Sequence, residues 1–194
     1  MTRVPAAPED FFAEYLPARV ARLSPVLGQR SSPGSVLFDV EGAGRWWLRL
    51  EAGRLVVQGD ELPGHLLTIA LRQADFERVI AAGAEQVGET LPPERQIIAA
   101  RMLTLDAERA SLVRGVGGSL ALVLADAGVT RRLLIAPAGV AVDLDKPTCD
   151  VSCTLEDFWK LQSGESNAFE LLMAGRIRFG GDAQIAMALS GVFA

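Results

Sequence analysis

The sequence predicts an α+β fold built from two successive copies of a small unit. Three observations predict it. Short runs with strand-like alternation are separated by Gly-containing turns, helical periodicity follows each set of strands, and the same order recurs in the second half. A chain of 194 residues can bury one good core or two small ones, so the repetition decides the reading. Hydrophobic residues make up 49% and mean hydropathy is +0.24 with only 6% aromatics, so much aliphatic surface must be buried.

The opening segment from Pro8 to Leu23 carries Phe11, Phe12, Tyr15, Leu16, Val20 and Leu23 on one helical face, and Pro17 is expected to kink or divide it. Residues Ser24 to Gly34 are rich in Pro, Gly and Ser, which is loop chemistry. Strands are expected at Ser35 to Val40, Arg45 to Leu50, Arg54 to Val57 and Leu66 to Leu71. Alternation is clearest in Trp47-Leu48-Arg49-Leu50-Glu51, which reads as a meander with one dry face. Trp46 and Trp47 point to opposite faces, so one should be at least partly exposed. Helical signals follow over Asp75 to Ile80 and again over Pro92 to Ala100, where proline suits a helix start.

The order then repeats. Strand-like Leu120 to Leu124, Arg132 to Ile135, Val140 to Leu144 and Asp150 to Leu155 lead into helical Asp157 to Leu161 and Phe169 to Ala174. Thr154 is positioned as an N-cap with acidic Asp157 three residues on. Asp75-Phe76 answers Asp157-Phe158, Ala100-Arg101-Met102 answers Gly175-Arg176-Ile177, and Glu51-Ala52-Gly53 answers Pro137-Ala138-Gly139. The offsets, 82, 75 and 86 residues, fit two copies with different loop lengths. The expected units are residues 1–113, with the leading helix, and 114–194.

The stretch Leu155 to Gly164, then Phe169 to Asp182 with its Gly175-Arg176 and Gly180-Gly181-Asp182, then Ile185 to Leu189, resembles the closing half of a sterol carrier protein type 2 domain. Gly118 to Val151 supply the strands that family would need before it. In the first half, Ser35 to Val40, Arg45 to Val57 and Asp75-Phe76 resemble its opening strands and helix. Leu105-Asp106-Ala107 departs from the pattern, since it stands where Gly180-Gly181-Asp182 would be and has no glycine. The resemblance implies a mainly antiparallel sheet covered by helices, with an apolar tunnel that takes sterols, fatty acyl chains or other lipids. Burying about 16 methylenes at ~0.8 kcal/mol each is worth roughly 13 kcal/mol gross, against association losses of ~4 to 15 kcal/mol.

Composition argues against other functions. A net charge of −5, with no basic cluster longer than Arg131-Arg132, offers nothing to nucleic acid phosphates. No apolar run approaches the roughly 18 residues a membrane-spanning helix needs. The first ten residues lack the apolar core and cleavage site of a secretory signal, so a cytoplasmic protein is expected. Cys149 and Cys153 lie four apart along one strand, roughly 13 Å at about 3.3 Å per residue, too far for a disulfide. The single histidine, His65, and two such cysteines make neither a nucleophilic site nor a zinc site. Gly115-Val116-Gly117-Gly118-Ser119 lacks the Lys-Ser/Thr of a phosphate loop and precedes a strand, so it reads as an interdomain turn. Glu156 and Asp157 are explained by helix-start electrostatics.

The expected activity is non-catalytic binding, with transfer, of a hydrophobic small molecule, without cofactor or metal. The alternative is a structural or protein-interaction module with a filled core. The candidate cavity lining is Phe158, Trp159, Leu161, Phe169, Leu172, Met173, Ile177, Phe179, Ile185, Met187, Leu189 and Phe193, with Ala183 to Phe193 a candidate lid. Flexible Met173 and Met187 suit variable ligands. Phe38, Trp46, Leu48, Leu50, Ile69, Phe76, Ile80 and Met102 are the corresponding set of the first half.

Overall fold

Strand-like and helical segments fall largely where periodicity places them. The computed structural model describes residues 4–86 and 105–193. Its strands are β1 Ser35–Glu41, β2 Gly44–Glu51, β3 Arg54–Gln58, β4 His65–Arg72, β5 Leu120–Asp126, β6 Val129–Pro137, β7 Cys149–Thr154 and β8 Arg178–Gly181. The helices are α1 (residues 8–22), α2 Ser24–Leu27, α3 (residues 73–86), α4 Ala107–Arg114, α5 Leu155–Ser163, α6 Ala168–Met173 and α7 Ala183–Phe193. The expected helix over Pro92 to Ala100, with Arg101 and Met102, lies outside the described residues.

All the strands join one sheet in the order β3-β2-β1-β4-β6-β5-β7-β8. In each half an antiparallel hairpin is followed by a strand returning parallel to the hairpin's first strand. β1 pairs β2 with Val36 opposite Leu48, and β4 lies parallel to β1. Likewise β5 pairs β6 with Leu122 opposite Leu133, and β7 lies parallel to β5. The halves meet where β4 and β6 pair antiparallel, with Ile69 opposite Ile135. The sheet is thus mainly antiparallel.

That junction explains one error in the sequence reading. Residues Val140 to Leu144 alternate like a strand, yet they form turn and loop. Their counterpart, β3, pairs along the outer edge of β2. The same edge of β6 is taken by β4, so this segment has no ladder to join, and its backbone groups must be satisfied locally. Asp143 does so, accepting from the backbone N–H groups of Asp145 and Lys146 at 2.9 and 3.1 Å.

The helices cover one face of the sheet. Val36, Phe38 and Val40 of β1 face them and share a core with Ile69, Leu71, Leu133 and Ile135. The other face carries smaller clusters, Leu37 with Trp47 and Leu62, and Ala70 with Ala121 and Leu134. Trp47 is buried, whereas Trp46 is half-buried and stacks on Phe12 at 4.8 Å, so the opposed tryptophans are as expected. Helix α1 is not divided by Pro17. A π-helical turn over Phe11–Tyr15, in which the Leu16 N–H donates to the Phe11 carbonyl, precedes the proline. Widened turns of this kind absorb a local irregularity without breaking a helix. Phe11, Phe12, Val20 and Leu23 of this segment are buried.

The halves also end alike. Asp106 caps α4 by accepting from the Arg109 N–H at 2.9 Å, and Asp182 accepts from the Gln184 N–H at 2.9 Å where α7 begins. Leu105-Asp106-Ala107 therefore replaces Gly181-Asp182-Ala183 functionally. The capping aspartate is common to both halves, whereas Gly181 is needed in the second, where φ is 73° and an added Cβ would lie 2.5 Å from the Thr148 carbonyl oxygen.

Candidate functional site

Helix α5 is held at both ends by the chemistry its sequence carries. Thr154 Oγ1 accepts from the Asp157 N–H at 3.0 Å. At the other end Gly164 adopts φ 73°, and the Glu165 N–H closes back on the Lys160 carbonyl at 2.9 Å. Asp157, 1% exposed at its side chain, accepts both arms of the Arg176 guanidinium, with Nε at 3.1 Å and Nη2 closer. This pair ties the start of α5 to the residues leading into β8. Leu155 and Phe158 then point into the main core.

Helices α5 and α7 both rest on β5 and β7, and the sheet face between them carries the first candidate site. Three cross-strand rows run over this face. Ile135, Leu120, Cys149 and Gly181 lie under α7, whose Ala186 and Leu189 are buried on Leu120 and Cys149. Arg131, Leu124 and Cys153 lie toward α5. Between them, Leu133, Leu122, Val151 and Phe179 share one row. Burial falls along that row, from 1% exposure at Leu133, through half-buried Leu122 and Val151, to 43% at Phe179. This apolar strip of the sheet face between the two helices, the furrow, is covered at the sheet centre and exposed toward β8.

A concavity lies on the other side of α5, where it faces α3 of the first half. It has a volume of about 550 Å³ and is lined by Arg78 and Ala82 of α3, Ala125 to Ala127 at the β5–β6 turn, and Thr154, Leu155, Glu156, Trp159, Lys160, Ser163 and Glu165. Arg78 donates to both oxygens of Asp126 at 2.9 and 3.0 Å, and Arg131 donates to the same carboxylate at 3.1 Å. Hydrogen bonds from Arg78, then from Arg131, pull the Asp126 carboxyl down to about 2. Lys160 pairs with Glu156 one turn away.

The twelve sequence-nominated residues divide by location. Phe158, Ile177 and Leu189 are buried; Trp159, Leu161 and Ile185 are half-buried. Phe179 opens onto the furrow. Phe169, Leu172 and Met173 lie outward on α6 at 71%, 41% and 73% exposure, and Met187 lies outward on α7 at 71%. The Phe193 side chain is outside what is described. Sequence reasoning missed Arg78, Ala82 and Asp126, which reach the groove only because β4 and β6 pair. The one available signal was Ala81-Ala82-Gly83-Ala84, a small-residue stretch that lets another element approach closely.

Reactive chemistry is sparse around both sites. Burial raises the Cys149 and Cys153 thiols to about 11, and both cysteines are free. His65 lies on the opposite sheet face, against Trp47 and 3.0 Å from Thr68 Oγ1, and burial lowers its pKa. Among the described residues no group of three or more His, Cys, Asp and Glu is placed to hold a metal, and no helix is long and apolar enough to cross a membrane.

Two solved structures are similar to this chain. Sterol carrier protein 2 like 2 from Aedes aegypti is 21% identical over 58% of this chain and 98% of its own, with a TM-score of 0.39. Sterol carrier protein domain 2 of Helicoverpa armigera is 21% identical over 55% of this chain and 92% of its own, with a TM-score of 0.37. No curated protein sequence matches. The model of the SCP-2 sterol transfer family matches residues 99–194, a span that includes α5, the furrow and α7. Residues 99–194 of this chain are thus similar to the SCP-2 sterol transfer family.

Proposed function

We propose that this chain binds a lipid-like hydrophobic small molecule without catalysing a reaction, holding it in the furrow between α5 and α7 and releasing it unchanged. The observation that carries this reading is the row Leu133, Leu122, Val151 and Phe179, an apolar track whose burial falls steadily toward an open end. A guest along it would remove half-buried apolar surface from water at about 25 cal/mol per Å² and needs little polar recognition. Of the candidate lining, Ile177, Phe179 and Ile185 suit this site, while Phe158 and Leu189 are packed in the core beside it. Phe169, Leu172, Met173 and Met187 suit its outer rim.

The reading includes two units, residues 1–113 and 114–194. The repeated hairpin and parallel return strand, and the Asp-capped final helix of each half, support that division. The experiment is organic extraction of purified protein followed by lipid mass spectrometry, with fluorescent fatty acyl probes added to the stripped protein. Co-purifying lipid or saturable probe binding supports carriage; neither appearing overturns it.

One feature favours the alternative, a protein-interaction module. Phe169, Leu172 and Met173 form an i, i+3, i+4 stripe on α6 that the described residues leave open. If Phe169→Ser with Met173→Ser abolished a concentration-dependent association while lipid binding was absent, the module reading would stand.

A further inference from the structure

We propose that the groove between α3 and α5, where the two halves meet, is a second binding site, separate from the furrow, for one flat aromatic molecule without negative charge. Both halves build it. Arg78 and Ala82 come from the first, and Leu155, Trp159 and Glu165 from the second. Its volume, about 550 Å³, falls within the ~300 to 1,000 Å³ range of small-molecule sites.

Shape sets the class of ligand first. Alanines at 82, 125 and 127 leave the room, and Leu155 and Trp159 supply the apolar wall. The Trp159 ring is pressed against the backbone of α3, where a methyl group added at Gly83 would lie 1.9 Å from its Cη2. An indole fixed in this way offers a preorganised stacking surface at little cost in side-chain entropy.

Charge sets it second. Both cations lining the groove are already paired, Arg78 with Asp126 and Lys160 with Glu156. Among the described residues the third carboxylate, Glu165, has no ion pair and accepts only the Ser163 hydroxyl, at 2.9 Å. An anionic ligand would have to break an ion pair or face Glu165. An uncharged or cationic one meets neither penalty.

N-phenyl-1-naphthylamine and its sulfonated analogue 1-anilinonaphthalene-8-sulfonate share one aromatic skeleton and differ in charge. Titrated into the whole chain with the furrow saturated by excess palmitic acid, the uncharged probe should bind once, at least tenfold more tightly than the sulfonate. Ala82→Leu, which fills the groove from the first half, should weaken the uncharged probe at least tenfold, whereas Val151→Trp in the furrow should leave it unchanged. Glu165→Lys, at an exposed position, should tighten sulfonate binding severalfold. This last variant keeps the test decisive should Ala82→Leu fold poorly. Equal affinity for the two probes, indifference to Ala82→Leu in a folded protein, displacement by Val151→Trp, or an unaltered sulfonate affinity in Glu165→Lys would each overturn the proposal. The lipid-carriage reading would be untouched, since it stands on the furrow.

Discussion

Arg131 of β6 donates to Asp75 at the start of α3, with Nη1 3.3 Å from Oδ1. The Arg132 backbone N–H adds a second bond to the same carboxylate at 3.3 Å, and Arg131 Nη1 also reaches the Ala74 carbonyl at 3.0 Å. In the second half the corresponding aspartate, Asp157, takes its arginine from within its own half, from Arg176. The aspartate of each Asp-Phe pair is thus neutralised by an arginine, but the first half borrows its arginine across the seam.

Arg131→Met should therefore weaken more than the strand it sits on. Removing one member of a covered ion pair leaves the other uncompensated, at a cost of about 3 kcal/mol. Adding Asp75→Asn should recover part of that loss, because the stranded charge is gone. Urea unfolding of the two single variants and the double variant checks this. Additive losses would show that the pair does not couple the halves.

The contact between Gly83 and Trp159 makes a second prediction. Alanine is normally the better helix residue, by about 1 kcal/mol. Here its methyl would meet the indole ring, so Gly83→Ala should instead destabilise by about 1–3 kcal/mol. In a Trp159→Leu background the same substitution should become neutral or stabilising. Thermal melts of the four proteins measure the reversal.

Asp126 makes stability depend on acid. Its carboxyl is held at about 2, below the ordinary 3.8, chiefly by its hydrogen bonds from Arg78 and Arg131. A carboxyl lowered in the folded state contributes stability that is complete above its unfolded value and is lost as pH falls through about 2. Between pH 4 and 2, Asp126→Asn should show a flatter fall in urea midpoint than the parent. Parallel curves would remove Asp126 from the acid response.

The thiols should be quiet. With Cys149 and Cys153 raised to about 11 by burial, little thiolate exists at pH 8. Native protein should react slowly with Ellman's reagent, and unfolded protein should release two equivalents promptly. Rapid labelling of a single thiol in the native state would mean that the β7 face opens far more readily than its packing implies.

The strands were legible because period-2 alternation survives in Trp47 to Glu51 and Leu120 to Leu124, where one face is packed and the other is not. Val140 to Leu144 shows the limit of that signal. Alternation reports that a segment could pair, while pairing also needs a free edge, and β4 already occupies it. The furrow was partly legible. Apolar character picks out Phe179 and Ile185, but helical period cannot tell a covered face from a bare one and so groups Phe169 and Met173 with buried Leu189. The seam groove was illegible because its walls, Ala82 and Trp159, come from opposite halves and meet only through strand order.

Saturation binding of a fluorescent fatty acyl probe to the lipid-stripped parent and to Val151→Trp tests the carrier account most directly. Val151 is half-buried in the centre of the furrow row, so an indole there should fill the track while the fold persists. The account predicts saturable binding to the parent and at least tenfold weaker binding to the variant, with the melting temperature changed by only a few degrees. Equal binding by both proteins, or none by the parent, would contradict it.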